Sequence, residues 1–440
     1  MLIFTMKMGH YLGVINRLLD GSYESLSSNK KIKIPIDEII IEKSIKNIKF
    51  NFAKKLINKK NLILTGKNSY QIFGDKVLAS LKYNNIKSEI KVLENNKTSK
   101  KFAEELAESL NDYQNIITIG SGSVIDISKF ISSTNNQSLF VFCSSLSAAA
   151  TTSTVSLKNN GIKESVKSKI PDAIIIDLDN LKNAPPRLLR SALGDVLCRS
   201  TCQVDWLTSH LLLNTNYDET PFALQYDDEA LLLNNSKKIL QGDYDTLAAL
   251  SRMTLLNGIA AIIIGSTHAG SMGEHLISHY IDMFMGDQHP NTLHGEQVGV
   301  ATILVSKIQN KVINNKSLKF YELNINERAF QDLFGNDLSS KMFEQFKSKY
   351  FYADKLNFIN GLLEENWGVF RSKIEKYLLP TANISKALIE CGACVSNEDL
   401  KISGKFFNEA ISNSYLLRDR FSFIDVAHYT KTIQEYLVNE

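Results

Sequence analysis

NIITIGSGSVIDISK, residues 115–129, joins a short apolar run to an amphipathic stretch through a Gly-Ser-Gly-Ser turn. A strand that enters a helix in this way is the repeating unit of a parallel sheet. The same alternation extends upstream. NLILTG (61–66) and SEIKVL (88–93) read as strands, QIFGDKVLASLKY (71–83) and SKKFAEELAESL (99–110) as helices, and IKIPIDEIII (32–41) as extended chain. Downstream, SLFVFCSS (138–145) and AIIIDL (173–178) are two more strands. After Pro185-Pro186 the rhythm stops. The rest reads as helices, such as LLRSALGDVLCRSTCQVDWLTSHLLL (188–213) and KFFNEAISNSYLLRDRF (405–421). The pattern predicts a helical lead-in over residues 1–30, an α/β Rossmann-like domain over 31–183 and an all-α domain over 184–440.

A chain of 440 residues with 44% hydrophobic and 22% charged residues can bury large cores without disulfide or metal staples. A net charge of +3 is too small to point to nucleic acid or an anionic membrane. The charge is uneven: residues 1–100 hold 19 Lys or Arg against 8 Asp or Glu. Such a face is a solvated basic surface or the approach for an anionic ligand. Five cysteines, an odd number, favour a reducing compartment. Cys391 and Cys394 have CxxC spacing, and Cys198 and Cys202 stand one helical turn apart, but no zinc-knuckle or thioredoxin pattern surrounds either pair. The first 21 residues lack a signal-peptide core, and LLNGIAAIIIG (255–265) is too short to span a bilayer and reads as a buried helix. A cytoplasmic protein without stable membrane insertion is expected, and the sequence is compatible with a homo-oligomer.

Two groups of residues carry chemistry. In Gly120-Ser121-Gly122-Ser123 the glycines allow close backbone approach, and the following helix offers free N–H groups that suit a pyrophosphate. An ordinary strand-to-helix turn is the competing reading. Asp126 and Lys129, three apart on that helix, are placed to pair. In the helical half, Asp195 falls on the edge of the apolar stripe Leu188, Leu189, Ala192, Leu193 and Val196. A carboxylate there needs a cation, a helix N-terminus or an arginine. His275 and His279 are one turn apart on one helix face, and His294 precedes another helix. Five of the eight histidines fall between residues 268 and 294. Aspartate with neutral histidines is a donor set for Zn²⁺ or Fe²⁺, and three protein donors leave a position open. Histidines with separate local hydrogen bonds are the alternative.

At these residues the chain resembles the sn-glycerol-1-phosphate dehydrogenases, within the superfamily of metal-dependent alcohol dehydrogenases, glycerol dehydrogenase and dehydroquinate synthase. The stretches that carry the likeness are LTGKNSYQIFG (64–74), GSGSVIDISK (120–129), ALGDVLCRSTCQVDW (192–206), GSMGEHLISHYIDM (270–283), LHGEQVGVATIL (293–304) and LLRDRFSFIDVA (416–427). The resemblance implies a dehydroquinate synthase-like fold that binds NADPH or NADH on its α/β half. Its cofactor residues would be Gly66, Asn68, Gly120, Ser121, Gly122, Ser123, Asp126, Ser144 and Ser147. The implied metal ligands are Asp195, His275 and His294, with His279 near nicotinamide and substrate as the catalytic histidine. Iron-dependent relatives have a further histidine one turn after the aspartate. Arg199 stands there, which favours Zn²⁺ over Fe²⁺.

Two departures bear on specificity. Relatives strict for NAD often carry an aspartate after the first strand. Gly66 stands at that place, followed by Lys67, so a 2′-phosphate meets no carboxylate and NADPH should be accepted. The glycerol-1-phosphate branch usually has an aspartate after the fourth strand that contacts a substrate hydroxyl. Ala149 aligns with it, leaving Ser147, Thr151 or Thr152 to supply the bond, with Lys129 a further substrate candidate. Losing such an acceptor commonly costs about 1–3 kcal/mol. The expected activity is reduction of dihydroxyacetone phosphate to sn-glycerol-1-phosphate. Dehydrogenation of another small phosphorylated or plain polyol is the second reading, and a cofactor-regenerating sugar-phosphate cyclase or a non-catalytic scaffold are further ones. Arg199, Lys129, Arg418 and Arg420 are phosphate-pocket candidates by charge.

Overall fold

The computed structural model describes residues 9–94, 99–146, 151–153, 155–159, 162–166 and 168–438. The strands are β1 (Tyr23–Glu24), β2 (Lys31–Ile32), β3 (Glu38–Glu42), β4 (Asn61–Gly66), β5 (Glu89–Leu93), β6 (Asn115–Gly120), β7 (Ser138–Cys143), β8 (Val155–Asn159), β9 (Ile162–Val166) and β10 (Ala173–Asp177). Six of them form a parallel sheet in the order β3-β10-β7-β6-β4-β5. Strands β4, β6 and β10 are buried along their whole length, which explains why they read as near-continuous apolar runs. The edge strand β5 is exposed at four of its five positions, and its Glu89 and Lys91 suit an unpaired edge. Beneath the sheet Phe50 stacks on Phe52 at 4.8 Å and meets Phe142 edge-on at 5.8 Å.

The sheet order contains one reversal. From β4 the chain moves outward to β5, whereas from β6 it moves the other way to β7. The crevice beyond the carboxyl ends of β4 and β6 is therefore the topological switch point, where ligands bind in open α/β sheets. Gly66 ends β4 and Gly120 ends β6, and helix α1 (Gly122–Thr134) starts directly after the latter.

The chain forms two compact units, Met1–Ala192 with Ala223–Ser266, and Leu193–Phe222 with Thr267–Glu440. This differs from the single division expected near residue 183. The segment 223–266 belongs with the sheet, because helix α4 (Tyr244–Ile264) is tied to it by specific bonds. The Thr152 hydroxyl donates to the Leu255 carbonyl at 3.0 Å, the Tyr244 hydroxyl donates to Asp179 at 2.7 Å, and Arg252 donates to the Tyr11 carbonyl at 2.6 Å. Helix α4 is long and apolar enough to cross a membrane, but 72% of its most apolar window is buried in the protein. The apolar run at 255–265 is only its second half.

Four local readings also change. The lead-in holds a short helix, Ile15–Asp20, but also β1, which pairs antiparallel with β2. Strands β8 and β9 pair antiparallel, an element unforeseen from the sequence. The stretch 188–213 is two helices, α2 (Pro186–Val196) and α3 (Arg199–Leu213). At the break the Cys198 thiol reaches the Asp195 carbonyl at 3.0 Å and the Thr201 hydroxyl donates to the Cys198 carbonyl at 2.9 Å. These are side-chain competitors for helix carbonyls. In 405–421 the helix Gly404–Asn413 likewise ends in a 3₁₀ turn, Ser414–Leu416.

The second unit is helical. Helices α5 (Gly273–Phe284) and α6 (His294–Ile313) run through its core, followed by α7 (Glu327–Lys347), α8 (Ala353–Glu375), α9 (Thr381–Cys391), α10 (Gly404–Asn413) and α11 (Phe423–Tyr429). An aromatic stack, with Phe351 on Tyr429 at 4.4 Å and Phe320 on Tyr429 at 5.3 Å, fills the far side of the core. Within it Lys349 and Asp425 form a fully buried ion pair at 2.8 Å, and the lysine also donates to the Arg420 carbonyl. Breaking such a pair on one side leaves a buried charge uncompensated. Lys349→Met is expected to lower the unfolding free energy by about 3–5 kcal/mol, and Lys349→Met with Asp425→Leu to recover most of that loss, read by denaturant titration.

Candidate functional site

Asp195 lies in the last turn of α2 and is 3% exposed. Its Oδ1 faces Nε2 of His275, on the first turn of α5, and Nε2 of His294, which opens α6, each at 3.6 Å. One donor atom from each residue lies within 4.8 Å of the other two. Three segments far apart in the chain thus meet at one point in the second unit. The Asp195 Oδ1 is buried and has no hydrogen-bond partner among the described residues. Burial opposes ionisation of this carboxyl, but positive charge at the His275 and His294 positions, carried by the protonated rings when no cation is bound, outweighs it and holds the group below its ordinary value. A buried carboxylate oxygen between two imidazole nitrogens fits a divalent cation. Ligands on one tetrahedral ion with bonds of about 2.1 Å stand about 3.4 Å apart, close to the spacing seen.

The surrounding groups fix which nitrogen each ring turns inward. His275 Nδ1 donates to Glu274 Oε1 at 2.8 Å, which leaves the Nε2 lone pair facing Asp195. Glu274 is fully buried and also accepts from the Met272 amide at 2.9 Å and the Cys202 thiol at 3.1 Å. For His294 the argument runs through Ser278. The Ser278 hydroxyl donates to Gln297 Oε1 at 2.7 Å, so its contact with His294 Nδ1 at 3.1 Å must be accepted from the ring N–H. Gln297 is oriented by its amide, which donates to Asp282 at 3.2 Å and to Thr292 at 2.9 Å. His279 joins the cluster. Its ring centroid is 6.0 Å from those of both His275 and His294, and it stacks on the latter at 14°.

Asp205, on α3, sets the position of α5. It accepts from the Gly273 amide at 3.1 Å, the Phe423 amide at 3.0 Å and Gln309 Nε2 at 2.8 Å, so one buried carboxylate joins the starts of α5 and α11 to the side of α6. Burial, with the nearby Glu274 charge, pushes its carboxyl up to about 8, against the pull of the three donors.

The first unit carries the glycine loop. Gly120 ends β6, and its carbonyl accepts from the Ser144 amide at 2.9 Å. A Cβ on Gly120 would lie 2.7 Å from that of Val124, so close packing requires the glycine. Ser121 is extended, and α1 starts at Gly122. The Ser144 hydroxyl donates to that of Ser69 at 3.0 Å, which links the ends of β7 and β4. Gly66 closes β4, and Lys67, Asn68 and Ser69 follow as a helical turn. Asp126 is buried on α1, and its charge acts on Lys129, opposing the effect of burial on that lysine. Lys129 is fully buried and donates to the Ser153 carbonyl, and burial pulls its ammonium down to about 8. Thr151 is buried beside Cys143. Ser147 and Ala149 lie outside the described residues.

Of the candidate phosphate residues, Arg199 is buried and donates to Gln203 at 2.8 Å. Arg420 donates to the Ser271 carbonyl and to Thr267, and so ties the segment before α5 to the C-terminal region. Reasoning from the sequence missed Glu274, Asp205 and the Ser278–Gln297 pair. Glu274 had a signal, being an acidic residue next to a histidine at the start of an apolar helix. The others bond across distant segments and had none.

A parallel sheet with a glycine loop at its switch point, together with a helical unit carrying a carboxylate–imidazole donor set, defines the class of metal-dependent nicotinamide dehydrogenases. Comparisons with known proteins agree. A family profile described as iron-containing alcohol dehydrogenase matches residues 41–185. The glycerol-1-phosphate dehydrogenase of Methanobrevibacter smithii, named for NAD(P)+, is 31% identical over 254 residues, 57% of this chain and 70% of that protein. The enzyme of the same name from Archaeoglobus fulgidus is 29% identical over 252 residues, 56% of this chain and 71% of that one. In fold, the glycerol dehydrogenase of Schizosaccharomyces pombe superposes with a TM-score of 0.61 at 17% identity, covering 94% of this chain and 92% of that one. The chain belongs to the glycerol-1-phosphate dehydrogenase family.

The Asp205 junction is open to test. Asp205→Ala removes three buried hydrogen bonds and is expected to lower the unfolding free energy by about 3 kcal/mol or more, measured by denaturant titration.

Proposed function

We propose that this NAD(P)-dependent oxidoreductase reduces dihydroxyacetone phosphate to sn-glycerol-1-phosphate with a divalent cation, Zn²⁺, held by Asp195, His275 and His294. The observation that carries the reading is the buried, unbonded Asp195 Oδ1 set 3.6 Å from each of two imidazole nitrogens. The name shared by its relatives supports the reaction and its cofactor. Arg199, hydrogen-bonded to Gln203, stands where a fourth histidine would favour iron, which supports zinc. When bound, the cation supplies Lewis acidity and the nicotinamide supplies reducing equivalents. The chain's own residues do the rest. Glu274 and Ser278 keep the two imidazoles in the tautomer that presents Nε2. Leu276 and Ile277, which follow His275 on α5, are buried in the apolar core. His279, stacked on His294, is placed to hand on a proton. In the first unit, Gly120 to Ser123 with Gly66, Asn68, Asp126, Ser144 and Ser147 would receive the dinucleotide, whose pyrophosphate suits the start of α1.

The partner is a small phosphorylated ketone, with Thr151 and Lys129 as residues toward it. A dehydrogenase of a different small polyol is the second reading, favoured by Ala149 in place of an acidic residue. We place the protein in the cytoplasm, as an odd number of cysteines, five, favours a reducing compartment.

Two experiments test this. Oxidation of NADPH and NADH should be fastest with dihydroxyacetone phosphate in a panel of small ketones with and without phosphate. His275→Ala should lose bound zinc and at least about 1000-fold in kcat/KM while remaining folded. A faster reaction with an unphosphorylated ketone would favour the second reading, and full activity in His275→Ala would remove the metal from it. Separately, Gly66→Asp is expected to lower kcat/KM with NADPH about tenfold or more relative to NADH, because a carboxylate at the end of β4 repels a 2′-phosphate.

A further inference from the structure

The last turn of α2 crosses the first turns of α6 with no side chain between the two backbones. A Cβ on Gly194 would lie 2.1 Å from the Gly295 carbonyl oxygen and 3.4 Å from the Gly299 Cα. A Cβ on Gly299 would lie 3.1 Å from the Gly194 Cα. Close C···O contacts stop at about 3.3 Å, so an alanine at 194 would have to push the helices about 1 Å apart. The obstacle is carbonyl backbone in the middle of a packed core, which cannot turn aside as the end of a flexible side chain can.

Gly194 immediately precedes Asp195, and Gly295 immediately follows His294. The two donors are thus the sequence neighbours of the two glycines in contact, and the crossing distance fixes the 3.6 Å between Asp195 Oδ1 and His294 Nε2. His275 stands on α5, which is tied to α6 through Asp205, bonded to Gly273 and Gln309, and through the Ser278–Gln297 bond. Separating α2 from α6 would therefore draw Asp195 away from both imidazoles, which stay together on α5 and α6. Metal sites accept errors of about 0.2 Å in ligand distance, so a displacement of about 1 Å is decisive. We propose that Gly194, seated on Gly295 and Gly299, is a positioning residue that sets metal affinity by bringing two backbones into contact. This rests on the reading of Asp195, His275 and His294 as metal ligands.

The test is a zinc-binding isotherm on chelator-treated protein against a chromophoric competitor, with circular dichroism and NADPH binding followed in parallel. Gly194→Ala is expected to bind zinc about 10–100-fold more weakly, with near-native circular dichroism and unchanged NADPH affinity. Gly299→Ala, where the clash is milder, should lose less, about three- to tenfold. Gly361→Ala, on an exposed face of α8 where a Cβ meets nothing within 4 Å, should bind as wild type. Wild-type zinc affinity in a folded Gly194→Ala protein would overturn the proposal. Should that variant not fold, undiminished affinity in Gly299→Ala would overturn it instead. Wild-type protein that binds no zinc would defeat the underlying metal reading, a separate result.

Discussion

A carboxylate taken out of water must be compensated, and in the second unit most of the local architecture follows from that demand at Asp195. Its oxygen is buried and faces two imidazole nitrogens with no proton donor in between. Alone, such an arrangement would be costly. It is tolerable when a cation occupies the centre, and the chain invests heavily in keeping it intact. A second buried carboxylate, Glu274, orients one ring, a serine–glutamine pair orients the other, and a third carboxylate, Asp205, holds the helix that carries the first.

The supporting groups differ in how they act. Glu274 and Ser278 work through single hydrogen bonds that choose a tautomer. Asp205 works through geometry, by gathering the amides of Gly273 and Phe423 onto one side chain. Gly194 contributes by what it lacks, since only a bare backbone can lie against the Gly295 carbonyl. In the first unit the same economy appears at Gly120, which lets α1 start against the end of β6. Each unit thus uses glycine where the end of a helix must approach another element closely.

Much of this was legible in the sequence, for identifiable reasons. The strands of the parallel sheet were readable because β4, β6 and β10 are buried on both faces and so become uninterrupted apolar words. The donor set was readable because histidines are scarce and cluster between 268 and 294, and because Asp195 interrupts an apolar stripe. The division of the chain was not. Helical periodicity tells which face of α4 is apolar but not which core that face joins, and Thr152, Asp179 and Tyr11 draw it to the sheet. The pairing of β8 with β9 was hidden in a polar stretch. The crossing glycines were hidden for the opposite reason, since a glycine within a helix usually reads as a weakness rather than a contact.

The return of residues 223–266 to the sheet-bearing unit has a consequence for biosynthesis. A chain made from its N-terminus cannot complete that unit when its last strand, β10, has been synthesised. It must wait while the intervening segment 193–222, which belongs to the other unit, is made and α4 follows. At roughly 5–20 residues per second, the interval between residues 192 and 266 lasts about 4–15 s. During it, the apolar surface destined to meet α4 is without its cover, and this is the period in which the nascent protein most needs protection from aggregation.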